Sequence, residues 1–394
     1  MARVSTPTQA GFGGSGLGGW ALAGAGIVGA TLAGAVDGPA ARSAAAQDWP
    51  PFVLVSGLLL VGLVADEGGL FAAAGHALAR VSGRGVVLFA GATALVAGVT
   101  SVLNLDTSVA FLTPVLVYAA RRRGEGEAPL LYGCLLLSNA ASLLLPGSNL
   151  TNLIVLGHLH LSGGRFLGKV APAWLVSVLV TAGVVALVER RSLRTTSVPA
   201  PTLGDTYPAG RGAFWIGMVS VLSVTVLVVV LRAPALPVAA VGVAAVAARA
   251  ASGRAPLDRV VQTLGLPLLL GLFGVAVALG TLGRSWSGPT TALTHLDAWG
   301  TAALAALSSV VFNNLPAASL LAARVPPRPF ALLVGLDIGP NLCVTGSLAW
   351  VLWLRAARTA GAAPSIARAT RLGLVAAPLA MVGALGVFAL TGTR

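Results

Sequence analysis

The chain has 394 residues, of which 56% are hydrophobic and 9% are charged. Soluble globular proteins carry about 25% charged residues, so this composition excludes a soluble protein and identifies an integral membrane protein. The net charge of +13 comes from arginines in short clusters between apolar segments. Such clusters are typical of topology signals, and they argue against a nucleic-acid surface.

Apolar segments near the roughly 20 residues that cross a bilayer recur along the whole chain, and ten to twelve of them are expected to lie in the membrane. The first, 17–35, is expected to be a membrane helix or a signal anchor, because further spans follow it. The other apolar stretches are 50–66, 84–103, 107–120, 128–145, 166–188, 213–231, 234–250, 260–281, 299–312, 316–324, 329–353 and 371–391.

A long polar stretch, ERRSLRTTSVPAPTLGDTYPAGRG at 189–212, divides the chain into halves of similar length. We therefore predict an N-terminal membrane repeat over 1–188, a cytoplasmic linker over 189–212 and a C-terminal membrane repeat over 213–394. Clustered arginines mark cytoplasmic loops by the positive-inside rule. These clusters lie at 121–123, 190–211, 249–259 and 355–371, whereas Arg80, Arg84, Arg324 and Arg328 do not fit a simple assignment.

All seven asparagines lie in four windows that interrupt the apolar pattern: NLDTS (104–108), SNAASLLLPGSNLTN (138–152), FNNLP (312–316) and LDIGPNLCVTGS (336–347). Each half carries the same order, an Asn-bearing break followed by a Pro/Gly/Ser-interrupted segment. Close packing of small residues would explain one such break. Broken helices at corresponding positions of two halves instead predict a transporter binding site, because the freed backbone groups must line a cavity.

Two acidic residues lie inside these windows, Asp106 and Asp337, whereas the other ten lie near span ends or in polar loops. A charged carboxylate at the bilayer centre costs about 2.5–3.5 kcal/mol, and neither window offers a Lys, Arg or His partner. We therefore expect each carboxyl to carry a proton part of the time, bind a cation or face water. For Asp337 the alternative is a helix cap.

Other reactive side chains give weaker signals. Cys134 and Cys343 lie in apolar segments, which favours core thiols over a disulfide or a thiolate metal site. His158 and His160 are two residues apart, a spacing that points to different faces of a helix, so an interfacial position is favoured over metal binding. The sequence lacks HExxH, GxSxG and Walker-type motifs, so we predict neither an enzyme nor an ATP-driven pump, and no metal or cofactor is expected.

Five stretches of the sequence carry a resemblance to a known family: VADEGGLF (64–71), LDTSVAFLTPVLV (105–117), SNAASLLLPGSNLTNLIVL (138–156), VFNNLPA (311–317) and GLDIGPNLCVTGSLAWVLWL (335–354). They resemble the arsenite/antimonite efflux permeases of the ion-transporter superfamily, which are related to divalent anion/sodium symporters. The sequence departs from their Asn-Asp-Gly hairpin start, because Leu105 precedes Asp106 and Thr107 follows it, and Asn341 stands where a lysine is common in the family.

This resemblance implies an all-α polytopic membrane protein of two inverted repeats, each with a re-entrant hairpin and an unwound transmembrane helix, that works by an elevator-like movement. Asp106 and Asp337 would couple transport to protons or another cation. The unwound segments would be 146–149 and 339–347. The expected substrate-binding residues are Asn104, Thr107, Ser138, Asn139, Gly147, Ser148, Asn149, Asn313, Asn314, Asn341, Thr345, Gly346 and Ser347.

The leading functional hypothesis is export of trivalent arsenic or antimony hydroxide in exchange for protons. Moving a neutral solute outward gains nothing from an inside-negative potential, whereas each counter-moving proton gains about 2.3 kcal/mol per 100 mV. The alternatives are a sodium-coupled dicarboxylate or inorganic-anion symporter, a sodium/proton antiporter and, from a different class, a non-transporting membrane receptor. The bacterial cytoplasmic (inner) membrane is the expected location. The related fold suggests a homodimer, and the sequence leaves open a soluble ATPase partner.

Overall fold

The computed structural model describes residues 17–80, 85–157, 159, 161–194, 211–251 and 257–393. Within these ranges the chain forms nineteen α-helices and no β-strand. Helices suit a bilayer because they satisfy the backbone N–H and C=O groups inside each segment. The prediction of an all-α polytopic membrane fold is confirmed. His158, His160 and most of the predicted linker lie outside the described residues.

Nine of the described α-helices lie before residue 195 and ten lie after residue 210. The N-terminal half contains α1 (Leu17–Val36), α2 (Gly38–Glu67), α3 (Leu70–Arg80), α4 (Gly85–Val102), α5 (Leu105–Arg122), α6 (Ala128–Ala141), α7 (Leu150–Leu156), α8 (Gly163–Val188) and α9 (Arg190–Leu193). The C-terminal half contains α10 (Arg211–Val230), α11 (Ala235–Ala251), α12 (Leu257–Leu264), α13 (Leu266–Ser285), α14 (Gly288–His295), α15 (Ala298–Phe312), α16 (Asn314–Leu321), α17 (Pro329–Ile338), α18 (Leu348–Thr359) and α19 (Ile366–Thr391).

Seven stretches of the described helices are long and apolar enough to cross a membrane. The first is α1, which packs closely on α13 through glycines. A side chain at Gly274 would lie 2.2 Å from the carbonyl oxygen of Gly26, so the two backbones meet directly. The other six stretches lie in α2, α4, α8, α10, α12–α13 and α19.

Helix α2 is longer than the sequence suggested. The apolar pattern predicted a span over 50–66, but the helix runs from Gly38 to Glu67 and passes through Pro50 and Pro51. The placement of Asp48 near a span end was therefore wrong. Asp48 is an internal residue of this helix, and its side chain is only 1% exposed.

Each half contains a helix pair with an asparagine at its tip and a helix that is broken in the middle. The pairs are α4–α5 and α15–α16, and the broken helices are α6–α7 and α17–α18. We call residues 142–149 the first break and 339–347 the second break; each contains a short 3-10 turn, at Pro146–Ser148 and Gly339–Leu342.

The halves are interlocked. Helix α5 of the first pair packs on α18, and α16 of the second pair packs on α7. The long helices α8 and α19 also pack on each other. Both hydrophobic cores therefore combine residues from the two halves, and they hold the breaks and tips near one another.

Arginines from two of the clusters that predict cytoplasmic loops form ion pairs at helix ends. Glu67 pairs with Arg259 at the last turn of α2, and Glu189 pairs with Arg368 at the end of α8. At the opposite end of α2, Asp37 accepts a hydrogen bond from Ser285. Arg324, which the sequence could not place, donates to the Arg284 carbonyl at this second end.

Candidate functional site

The two helix pairs turn at asparagines that cap the following helix. The side-chain oxygen of Asn104 accepts a hydrogen bond from the Thr107 N–H at 2.7 Å, at the start of α5. The side-chain oxygen of Asn313 accepts from the Leu315 N–H at 3.4 Å, at the start of α16. The backbone of Asn313 has φ of 75° and ψ of 149°, a conformation that glycine adopts readily and that costs other residues backbone strain.

The second tip, formed by Asn313 and Asn314 between α15 and α16, is hydrogen-bonded to the second break. The Asn314 N–H donates to the Gly346 carbonyl at 2.9 Å, and the Thr345 hydroxyl donates to the Val310 carbonyl at 2.6 Å. These bonds satisfy backbone groups that the interrupted helices leave free. The predicted residues Asn313, Asn314, Thr345 and Gly346 are therefore brought together at one place.

A second cluster joins α6 to the second break. Asn139 donates through Nδ2 to Oδ1 of Asn341 at 2.9 Å, and Asn341 donates in turn to the Leu136 carbonyl at 2.9 Å. The Ser347 hydroxyl donates to Oδ1 of Asn139 at 3.3 Å. All three polar side chains are buried, so this network fixes the second break against the first half of the chain.

Asp337 makes the reciprocal connection, from α17 to the first break. Its Oδ1 accepts hydrogen bonds from Asn149 Nδ2 at 3.0 Å and from the Thr151 hydroxyl at 2.6 Å. Its Oδ2 is buried and has no hydrogen-bond partner. The alternative prediction for Asp337, a cap on a helix start, does not describe these contacts, because both donors are side chains.

A small cavity of about 20 Å³ lies between the tips and the breaks, with room for about one water molecule. Five of the predicted site residues line it. Two leucines of α13, Leu269 and Leu272, close one side. Among the described residues, the polar lining consists of Asp106, Asn149, Asn313, Asn314 and Ser347 and includes no Lys, Arg or His.

Three polar atoms at the first tip, residues 104–107 at the start of α5, are buried and have no hydrogen-bond partner among the described residues. They are Nδ2 of Asn104, Oδ1 of Asp106 and the hydroxyl oxygen of Thr107. Buried polar atoms are nearly always paired, so each unpaired atom needs an explanation such as a bound water, ion or solute. Their concentration next to the cavity makes the first tip a candidate binding surface.

The remaining predicted residues lie away from the cavity. Ser138 donates to the Ser108 hydroxyl at 3.4 Å, and the Ser148 hydroxyl donates to the carbonyls of Ser142 and Leu145 within the first break. Gly147 faces Val228 of α10 and Leu54 of α2.

Sequence reasoning missed several residues of the site region. Thr151 and Ser142 belong to the quoted asparagine window, and they bond Asp337 and Asn149 respectively. Their position close to Asn149 in the sequence could have indicated that they belong to the site. Leu269 and Leu272 carry no sequence signal, because they are ordinary apolar residues of a membrane helix.

Comparison with known proteins identifies the family. The model of the family described as "Citrate transporter" (CitMHS) matches residues 12–336, which is most of the chain. The chain belongs to this citrate transporter family. Arsenical pump membrane proteins are also similar: the one from Yersinia enterocolitica is 26% identical over 337 residues, and the one from Escherichia coli K12 is 25% identical over 340 residues, with 78% of each chain covered in both cases.

A similar solved structure is the Alcanivorax borkumensis YdaH transporter, whose crystal structure is described as having an unusual topology. It is 17% identical, with a TM-score of 0.47, and the match covers 90% of this chain and 88% of that one. The family and the arsenical pump relatives confirm the resemblance to arsenite permeases of the ion-transporter superfamily. The chain is a multi-pass membrane transporter of this group.

Proposed function

We propose that the chain exports trivalent arsenic or antimony, as the neutral hydroxide, in exchange for protons. The observation that carries this proposal is the lining of the cavity: one carboxyl group, three asparagines and a serine, without a cationic side chain. Such a lining suits a neutral solute with hydroxyl groups. The names of the arsenical pump relatives support the same substrate class.

Recognition would rest on hydrogen bonds. Arsenous acid presents three hydroxyls, and the Asn314 amide offers both donors and an acceptor. The amides of Asn149 and Asn313 already bond Asp337 and Leu315, so they would exchange these partners for the substrate. The Ser347 hydroxyl and the unpaired atoms of Asn104 and Thr107 add to this set. Room for about one water molecule is too little for arsenous acid, so substrate entry requires the tips and breaks to separate.

Coupling would depend on Asp106, which lines the cavity and has one enclosed oxygen without a partner. We propose that Asp106 releases its proton toward the cytoplasm and rebinds one from outside. Asp337 would act one step away, by holding Asn149 at the cavity wall. In this scheme Asn139, Asn341, Ser138, Gly147, Ser148, Thr345 and Gly346 shape the breaks.

The movement we propose is an elevator-like displacement of the tips and breaks against a scaffold, with 1–188 and 213–394 as inverted repeats and 189–212 as a cytoplasmic linker. The repeated order of helix pairs and broken helices supports this scheme. The end of α2 at Glu67 would face the cytoplasm of a bacterial cell, because the arginine clusters lie there. The homodimer and the soluble ATPase partner stay predictions.

Uptake of citrate or another carboxylate, coupled to sodium or protons, is the second candidate, and the family description favours it. The lining of the cavity argues against it, because a polyanion would meet Asp106 without a cationic side chain to pair with. This candidate would require a bound cation beside that carboxyl group.

Resistance to arsenite tests the proposal. An efflux-deficient bacterial host would express the chain or its Asp106→Asn variant at equal membrane abundance. We expect growth in arsenite with the parent chain and loss of growth with the variant. If the well-expressed parent gives no protection, and the same cells take up labelled citrate, the citrate candidate replaces arsenite export.

A further inference from the structure

A third buried carboxyl group lies outside the cavity described above. Asp48 of α2 is 1% exposed, and neither of its carboxyl oxygens makes a hydrogen bond of normal geometry to the described residues. The polar groups that influence it from neighbouring helices are the Ser319 hydroxyl of α16 and the Arg284 guanidinium of α13. A charged carboxylate in such a place is costly, so the geometry suits a carboxyl group that carries a proton.

The neighbouring residue, Gln47, connects this position to the two short helices of the site. Its Nε2 donates to the Ile154 carbonyl at 3.2 Å and to the Ala322 carbonyl at 2.9 Å, while its side-chain oxygen accepts from Arg284. Ile154 lies in the last turn of α7, and Ala322 ends α16. Gln47 therefore holds the far ends of two helices whose first ends meet at the cavity.

The near ends of α7 and α16 are capped by Asn149 and Asn313, both of which line the cavity. The helices have seven and eight residues, so each spans about 10–12 Å. Two short rigid elements thus run from the cavity to the Gln47 amide. A displacement at one end is transmitted to the other without passing through a loop.

We propose that Asp48 is a second proton-binding site of the transporter, and that Gln47 and Arg284 couple its protonation to the position of α7 and α16. Its role in transport rests on the proposed proton exchange. In this structure Arg284 bonds Gln47 and the Gly280 carbonyl, which is the arrangement that we assign to neutral Asp48. When Asp48 loses its proton, the carboxylate draws the guanidinium away from Gln47, because two opposite charges attract each other more strongly than a charge and a neutral amide do.

Loss of the Arg284 bond removes one of the hydrogen bonds that orient the Gln47 amide, and we expect its bonds to the Ile154 and Ala322 carbonyls to weaken. The end of α16 then separates from α2. Two other charged groups at this end bond elsewhere: Asp37 accepts from Ser285, and Arg324 donates to the Arg284 carbonyl. Arg284 is thus the charged side chain that responds to Asp48.

A distance measurement without substrate tests this proposal, so its result does not depend on arsenite transport. Spin labels would be placed at Val36, at the exposed end of α1, and at Val325, just after α16, with Cys134 and Cys343 replaced by alanine. The full chain in lipid nanodiscs would be measured at pH 5 and pH 9. We expect the parent to show a longer label separation at pH 9 than at pH 5.

The Asp48→Asn variant cannot ionise at this position and should keep the short separation at both pH values. Gln47→Leu lacks the tether and should show the long separation at both. The matched control is Asp37→Asn, which removes an exposed carboxyl group at the same end and should respond to pH as the parent does. A parent without a pH response, or an Asp48→Asn variant that responds like the parent, would overturn the proposal.

Discussion

The side-chain amide of Asn149 donates to Oδ1 of Asp337 across 3.0 Å, and this bond joins the first break to α17 of the other half. The reciprocal bond runs from Asn139 of α6 to Asn341 of the second break. Each half therefore supplies a polar side chain from its first half-helix to the break of the other half. We therefore expect a movement of one break to displace the other, because buried hydrogen bonds connect them.

Asp337 is expected to be more important for structure than for charge. Asp337→Leu removes the acceptor of two buried donors, Asn149 and Thr151. An unsatisfied buried donor costs about 1–3 kcal/mol, so we expect a lower thermal unfolding temperature in detergent. Asp337→Asn keeps an acceptor oxygen and should lose less stability. Equal unfolding temperatures for the two variants would contradict this role.

The Asn139–Asn341 pair should show energetic coupling. Asn139→Leu and Asn341→Leu each break the 2.9 Å bond, and the double variant breaks it only once. Contacting residues show interaction energies of about 0.5–3 kcal/mol in double-mutant cycles. We therefore expect the double variant to be clearly more stable than the sum of the single losses predicts. Strict additivity of the denaturation free energies would mean that the two amides act independently.

Packing of α15 on α17 depends on a glycine. A β-carbon at Gly335 would lie 2.2 Å from the Ala302 carbonyl oxygen, so Gly335→Ala must push the helices apart. Overpacking of this kind costs about 1–3 kcal/mol, which should appear as a lower unfolding temperature and reduced transport. Gly98→Ala on α4 is the matched control, because its β-carbon would meet open space. A control that loses as much stability as Gly335→Ala would exclude this explanation.

Substitutions of Asn313 at the second tip should distinguish the effect of backbone strain from the loss of substrate recognition by the side chain. Asn313 has φ of 75°, which an alanine adopts only at a cost of about 1–3 kcal/mol. We expect Asn313→Ala to unfold at a lower temperature than Asn313→Gly, since glycine accepts this conformation. Both variants lose the amide that lines the cavity and should export less arsenite. Full transport by the glycine variant would remove Asn313 from the recognition set.

The sequence predicted the membrane class and the places where helices are interrupted, because both follow from local composition. A run of apolar residues needs no tertiary information to be assigned to a bilayer, and an asparagine or a Pro-Gly pair in such a run signals a break. The four asparagine windows accordingly coincide with the tips and breaks of the structure. Five of the predicted residues line one cavity.

The connections across the halves could not be predicted in the same way. The bonds from Asp337 to Asn149 and from Asn139 to Asn341 span long sequence separations and depend on how the halves interlock. Asp48 was missed for a related reason. Polar and charged residues before Trp49 hid the fact that α2 continues from Gly38, so a buried carboxyl group looked like part of a loop.

The central claim, proton-coupled export through Asp106, is tested most directly in proteoliposomes that contain equal amounts of parent or Asp106→Asn protein. Arsenite flux and internal pH would be recorded together, with Asp258→Asn, an exposed carboxyl group of α12, as the control. We predict arsenite movement with opposite proton movement for the parent and the control, and neither for Asp106→Asn. Coupled exchange by the Asp106→Asn protein at the parent rate would contradict the account.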